Sequence, residues 1–65
     1  MLNMLELSKK VLEKVSFDRS LFHKELRKAI RWVSKEDVVL LQVWCVTAYG
    51  HLYGDVIRDC FSTLV

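Results

Sequence analysis

Residues 34–53 read SKEDVVLLQVWCVTAYGHLY and form the densest apolar segment of the chain. The segment opens with a helix-start signal, because Ser34 suits the N-cap position and Asp37 follows three residues later, close to a capping box. Glu36 and Asp37 also place carboxylates in the first turn, where the helix dipole favours negative charge. These features predict a helix over 35–49, although VVLLQVWCV alone has strand-like composition.

This third helix is apolar on almost every side, from Val38 to Tyr49. A helix that is hydrophobic all round is typically buried by its neighbours. We therefore expect the rest of the chain to be organised as a cover for it.

The composition favours an all-α fold. The 65 residues include no proline and two glycines, Gly50 and Gly54, whereas a β-rich fold needs turn residues about every 8–12 positions. A chain of this length makes one domain at most. We therefore assign residues 1–65 to a single helical domain.

Two amphipathic helices are predicted before the apolar one, over about 2–15 and 19–33, from apolar residues that recur at three- and four-residue spacing. Asp18 is a good N-cap for the second of them. Phe17 and Phe22 would then stand at N′ and N4, the positions of a hydrophobic staple.

Gly50 and Gly54 leave two alternatives for the C-terminal region. In the first, Gly50 ends the third helix, and Asp55 caps a fourth helix over about 55–63. In the second, one long bent helix continues, because apolar pairs recur every four residues from 40/41 to 64/65 through both glycines. The broken version is slightly favoured, since glycine is the commonest helix terminator. The sequence therefore predicts a small bundle of three to four helices.

The apolar content predicts self-association. Apolar residues make up 52% of the chain, and a chain so short buries only about 60% of its surface on folding. A two-fold homodimer is the simplest way to cover the excess. We expect the C-terminal half to form the interface, with these anchors: Trp44, Tyr49, Leu52, Tyr53, Ile57 and Phe61.

Charge is unevenly distributed along the chain. Residues 1–35 hold nine of the ten Lys/Arg and four of the eight Asp/Glu, a net of +5, and residues 36–65 have a net of −3. Such asymmetry is typical of a surface for nucleic acid or an acidic protein, although amphipathic helices are ordinarily charged on their solvated side. An alternative function is therefore nucleic-acid association through the basic face of the second helix: Lys24, Arg27, Lys28 and Arg31.

No constellation predicts an enzyme, a metal site or a cofactor. Cys45 and Cys60 match no zinc spacing and form no CxxC motif. His51 has neighbours that can titrate, but no nucleophile or paired carboxylate accompanies it. We expect no catalytic activity and no small-molecule substrate.

The N-terminal residues lack the features of a signal peptide. The longest uncharged run, residues 38–54, falls short of the about 20 apolar residues of a transmembrane helix. Two cysteines without an export signal indicate reduced thiols. The sequence thus predicts a cytoplasmic interaction or structural protein, with no membrane partner and no assigned biochemical role.

Overall fold

The computed structural model describes residues 3–62, which form three helices: α1 (Met4–Lys14), α2 (Arg19–Trp32) and α3 (Lys35–Ser62). The predicted all-α class and small helical bundle are confirmed. Position 2 of the first predicted helix, position 63 of the last and the apolar pair 64/65 lie outside the described residues. α2 contacts both other helices and occupies the middle of the bundle.

Each helix begins with a side-chain cap that satisfies a free backbone N–H of the first turn. Asn3, Asp18 and Ser34 accept a hydrogen bond from the N–H three residues later, at 2.8, 3.0 and 3.3 Å. The caps predicted at Asp18 and Ser34 are confirmed. Local sequence therefore determines where α2 and α3 begin.

α3 continues through both glycines, so the predicted helix end at Gly50 is wrong. Neither Gly50 nor Gly54 has a positive φ, the conformation that a glycine terminator would adopt. The helix instead bends at Tyr53, whose φ of −126° and ψ of 32° are not helical. The second alternative, one long bent helix, describes α3.

The bend coincides with a long-range contact. The Tyr53 hydroxyl donates a hydrogen bond of 2.7 Å to the backbone carbonyl of Ser16, in the connection between α1 and α2. The Tyr53 ring lies 4.8 Å from that of Phe22. Tertiary packing, rather than glycine, therefore accompanies the change of direction in α3.

The core lies where the inner faces of the three helices meet. Leu12 of α1, Phe22 and Leu26 of α2, and Leu41 and Cys45 of α3 are completely buried. Each large apolar side chain that is fully buried contributes about 1.5–3 kcal/mol. These residues hold α3 against the α1–α2 pair.

Phe17 does not belong to this core. Its side chain is 79% exposed, so the predicted staple between Phe17 and Phe22 is wrong. Phe22 packs instead against α3, with its ring 5.2 Å from that of Tyr49. The aromatic contacts of α2 therefore fasten it to α3 rather than to its own N-terminal connection.

Polar contacts join α2 to the part of α3 that follows the bend. The Arg19 guanidinium donates two hydrogen bonds to the Asp55 carboxylate, and His23 Nε2 lies 3.8 Å from Asp59 Oδ2. The hydrogen bond from Arg19 lowers the pKa of Asp55 below its usual range. Both members of the Arg19–Asp55 pair are exposed, so these contacts orient α3 more than they stabilise it.

Candidate functional site

The outer face of α3 is apolar and open to solvent. Val39, Leu40, Val43 and Val46 are 60%, 55%, 59% and 54% exposed. The opposite face of the same segment is buried against α1 and α2. Two shorter helices thus cover only one side of a helix whose composition predicts burial all round.

The exposed residues follow the spacing of a helix–helix interface. Val39, Val43, Val46 and Gly50 succeed one another by four, three and four positions, which is the a/d spacing of a coiled coil. At 3.6 residues per turn they lie within about 60° of arc. We call these four residues the outer seam.

Gly50 has no role inside the chain that requires glycine. Among residues 3–62, and apart from the adjoining residues and the nearby backbone of α3, a Cβ built at Gly50 would meet Val46 Cγ1 alone, at 3.6 Å, an ordinary van der Waals distance. Its φ is not positive, and a glycine in a helix interior costs about 1 kcal/mol relative to alanine. A Cβ at Gly54 would meet no other part of the described chain within 4 Å, apart from the adjoining residues and the nearby backbone of α3. The fold of the single chain would accept alanine at both positions.

The outer seam lies in a segment without formal charge. No Lys, Arg, Asp or Glu occurs between Asp37 and Asp55. By helical geometry Glu36 and His51 lie beside opposite ends of the seam and on the same side of it. The seam is therefore an aliphatic strip with a carboxylate at one end and an imidazole at the other.

The interface anchors predicted from sequence are distributed differently. Tyr53, Ile57 and Phe61 are 7%, 2% and 4% exposed and belong to the core of the single chain. Trp44 and Tyr49 are half-buried, with ring centroids 5.5 Å apart. Of the predicted anchors only Leu52 is largely exposed, at 56%, and it points away from the outer seam.

Sequence reasoning missed the valines of the outer seam. In a helix that is apolar all round, hydrophobicity does not distinguish the inner face from the outer one. The four–three–four spacing from Val39 to Gly50 was the available signal, but Leu41 and Cys45 are also four residues apart. The packing of α1 and α2 decides which set faces inward.

The structure brings the predicted basic residues together. An open concavity of about 320 Å³ on the outer side of α2 is lined by Ser20, His23, Lys24, Arg27, Lys28 and Arg31. Within residues 3–62 no carboxylate lines this concavity, although Lys28 Nζ lies 3.4 Å from Glu25 Oε2 and His23 Nε2 lies 3.8 Å from Asp59 Oδ2. The chemistry of this concavity suits an anion with several phosphate groups.

A second concavity, of about 390 Å³, lies between α1 and α2. Its lining is mainly apolar: Met4, Leu7, Ser8, Val11, Glu25, Lys28, Ala29 and Trp32. Trp32 is 67% exposed and forms one wall. Sequence reasoning did not find this groove, because it depends on how α1 crosses α2.

The two cysteines are buried in the core and are not joined in a disulfide. Burial raises the pKa of Cys45 to about 12, with a smaller effect from nearby Cys60, and burial likewise raises the pKa of Cys60. A thiol reacts as its thiolate, so both are poor nucleophiles. Within residues 3–62, no group of three or more His, Cys, Asp or Glu is placed to hold a metal ion.

Comparison with known protein families, with curated proteins and with solved structures finds no match to this chain. Across residues 3–62, no helix combines the length and the hydrophobicity needed to cross a bilayer. The outer surfaces of α2 and α3 are therefore the candidate functional surfaces of the chain.

Proposed function

We propose that this protein is a small interaction or structural protein that forms a homodimer through the outer seam of α3. The observation that carries the proposal is the exposure of Val39, Val43 and Val46, each by more than half. Monomeric proteins rarely expose contiguous apolar patches larger than a few hundred Å². In a two-fold dimer the same patch covers itself.

A cytoplasmic location is part of this proposal. Cysteines that form no disulfide are typical of reducing compartments, and Cys45 and Cys60 are buried without a disulfide between them. Their role in the fold is that of small apolar residues that fill the core.

Sedimentation of the chain at micromolar concentration tests the self-association. We expect a species of about twice the 7.7 kDa chain mass. Val43→Glu should reduce it to the monomer, because a charge at the centre of the seam would be buried without a partner. A wild-type chain that sediments only at 7.7 kDa would overturn the proposal.

Leu52→Glu provides the matched control for Val43→Glu. Leu52 and Val43 are 56% and 59% exposed, so a glutamate at either position of the single chain lies in water. At 3.6 residues per turn, Leu52 lies about 150° around α3 from the centre of the outer seam. The control variant should therefore remain a dimer, and equal loss of the dimer in both variants would contradict the assignment to the seam.

A second candidate function is binding of a nucleic-acid backbone by the basic face of α2. The supporting observation is that four cations line one concavity to which the described residues contribute no carboxylate: Lys24, Arg27, Lys28 and Arg31. Phosphate contacts of this kind need clustered cations and no particular fold. Binding should weaken steeply as salt is added, because counterions are released on association.

Charge reversal tests this second function. The double variant Lys24→Glu with Arg27→Glu should lose binding to a single-stranded oligonucleotide at low salt. Lys10→Glu with Lys14→Glu makes the same change of net charge on exposed positions of α1 and should keep most of the binding. Unchanged binding in the α2 variant would exclude its basic face as the binding surface.

A further inference from the structure

We infer that the α3 helices of two copies pack antiparallel along their outer seams, with Val39 of each copy over Gly50 of the other. This inference rests on the proposed self-association and specifies its geometry. Three observations support it: the spacing of the seam, the open space at Gly50 and the polar side chains beside the seam ends.

The spacing of the seam residues allows two antiparallel copies to match. The intervals along the seam, four–three–four, read the same in both directions. When one helix is reversed, Val43 therefore meets Val46 of the other copy and Val39 meets Gly50. The two-fold axis then falls between positions 44 and 45, close to the middle of the straight part of α3, which runs from Lys35 to the bend at Tyr53.

The open space at Gly50 also favours the antiparallel orientation. Beyond the adjoining residues and the nearby backbone of α3 itself, Val46 Cγ1 is the one atom of the described residues within 4 Å of a Cβ built there, so the space above the glycine is free. In the antiparallel pair the side chain of Val39 fills that space. In a parallel pair Gly50 would face Gly50 and leave an unfilled gap, which close-packed interfaces avoid.

The positions of Glu36 and His51 beside the seam ends favour the same antiparallel orientation. In the antiparallel pair Glu36 of one copy and His51 of the other lie on the same flank, about 3 Å apart in height at 1.5 Å per residue. The imidazole can donate a hydrogen bond to the carboxylate. A parallel pair would place Glu36 opposite Glu36, and like charges at an interface are unfavourable.

The charge pattern also identifies the occupant of the seam as a second copy. Helices that lie on a lipid surface carry Lys and Arg on their polar face, but none occurs between Lys35 and Arg58. A nucleic acid likewise requires cations. The outer seam is aliphatic, and its spacing is the same in both directions along the helix. The outer seam of a second copy therefore covers it best.

Substitution of the two glycines tests the contact. Gly50→Ala should weaken dimerisation by about tenfold, the scale of an added methyl group in a packed interface. Gly54→Ala is the matched control and should leave the dimerisation constant unchanged. Both variants should unfold at a higher temperature when diluted to monomer, because each replaces a helical glycine.

A distance measurement tests the orientation. Glu36→Cys carries a spin label near one end of the seam. In the antiparallel dimer the two labelled positions are separated by 17 residues of helical rise, about 25 Å, whereas in a parallel dimer they lie about 8–10 Å apart. Cys45 and Cys60 are buried, and wild-type protein treated with the same reagent checks that neither takes the label.

The outcomes separate the inference from the proposal on which it rests. A monomeric wild-type chain would overturn both. A dimer with a label distance near 10 Å would leave self-association standing and overturn the antiparallel arrangement. Equal dimerisation constants for Gly50→Ala and Gly54→Ala would overturn the contact between Val39 and Gly50.

Discussion

α2 and α3 contribute equally buried inner faces to the core and have opposite outer faces. Phe22 and Leu26 of α2 and Leu41 and Cys45 of α3 are all completely buried. Behind these residues, α2 presents a basic face to solvent and the first half of α3 presents valines. The inner face of α2 can be found from its sequence, whereas that of α3 becomes defined only by the helices that pack on it.

The same contrast predicts how each helix responds to substitution. Changes on the inner faces should alter folding in both helices. Changes on the outer faces should alter which molecules the protein binds in solution.

Phe22→Ala should have the largest effect, a loss of about 3–5 kcal/mol of unfolding free energy, because it leaves a cavity in the core. A domain of this size has only about 3–10 kcal/mol to lose. Urea denaturation followed by circular dichroism measures the change. Phe17→Ala, at a position 79% exposed, is the matched control and should stay within about 0.5 kcal/mol.

Tyr53→Phe should cost about 1–2 kcal/mol, because the Ser16 carbonyl loses its donor while the ring can still pack on Phe22. Tyr49→Phe is the control in the same helix, since the Tyr49 hydroxyl makes no hydrogen bond to the described part of the chain. Urea midpoints of the two variants provide the comparison. Equal losses would mean that the hydrogen bond to Ser16 does not stabilise the bend.

The helix caps should show a smaller difference. Asp18→Ala should destabilise the protein by about 1 kcal/mol. Ser34→Ala should cost less, because its hydrogen bond is longer, 3.3 against 3.0 Å, and because packing holds α3 more firmly than propensity does. Thermal unfolding of both variants shows which cap contributes more stability. A larger loss of stability in Ser34→Ala than in Asp18→Ala would contradict this expectation.

Asp55→Asn should have the smallest effect, because the Arg19–Asp55 pair is exposed and screened by salt. Since the pKa of Asp55 is lowered by Arg19, the pair stabilises the fold above the ordinary aspartate pKa, about 3.9. That stabilisation disappears as the pH falls through the lowered pKa. Melting temperatures between about pH 2 and 5 should therefore depend less on pH in the variant than in the wild type.

Local patterns in the sequence were sufficient for the fold class, for the caps of α2 and α3 and for the basic face of α2. They were insufficient for the bend, because the contact between Tyr53 and Ser16 joins residues 37 positions apart. They also misplaced the apolar surface: Ile57 and Phe61 suited an interface as well as a core, and only the fold assigns them to the core. Because the first half of α3 is apolar on almost every side, its sequence does not indicate which face is buried. The amphipathic pattern of α2 does.

The bend at Tyr53 shortens the protein. A straight helix of 28 residues, the number in α3, would be about 42 Å long, yet the longest dimension of the protein is 28 Å. Straightening one residue would scarcely change the helical content seen by circular dichroism, but it would lengthen the particle in X-ray scattering. A bend at one tyrosine thus shortens the protein while leaving its helicity almost untouched.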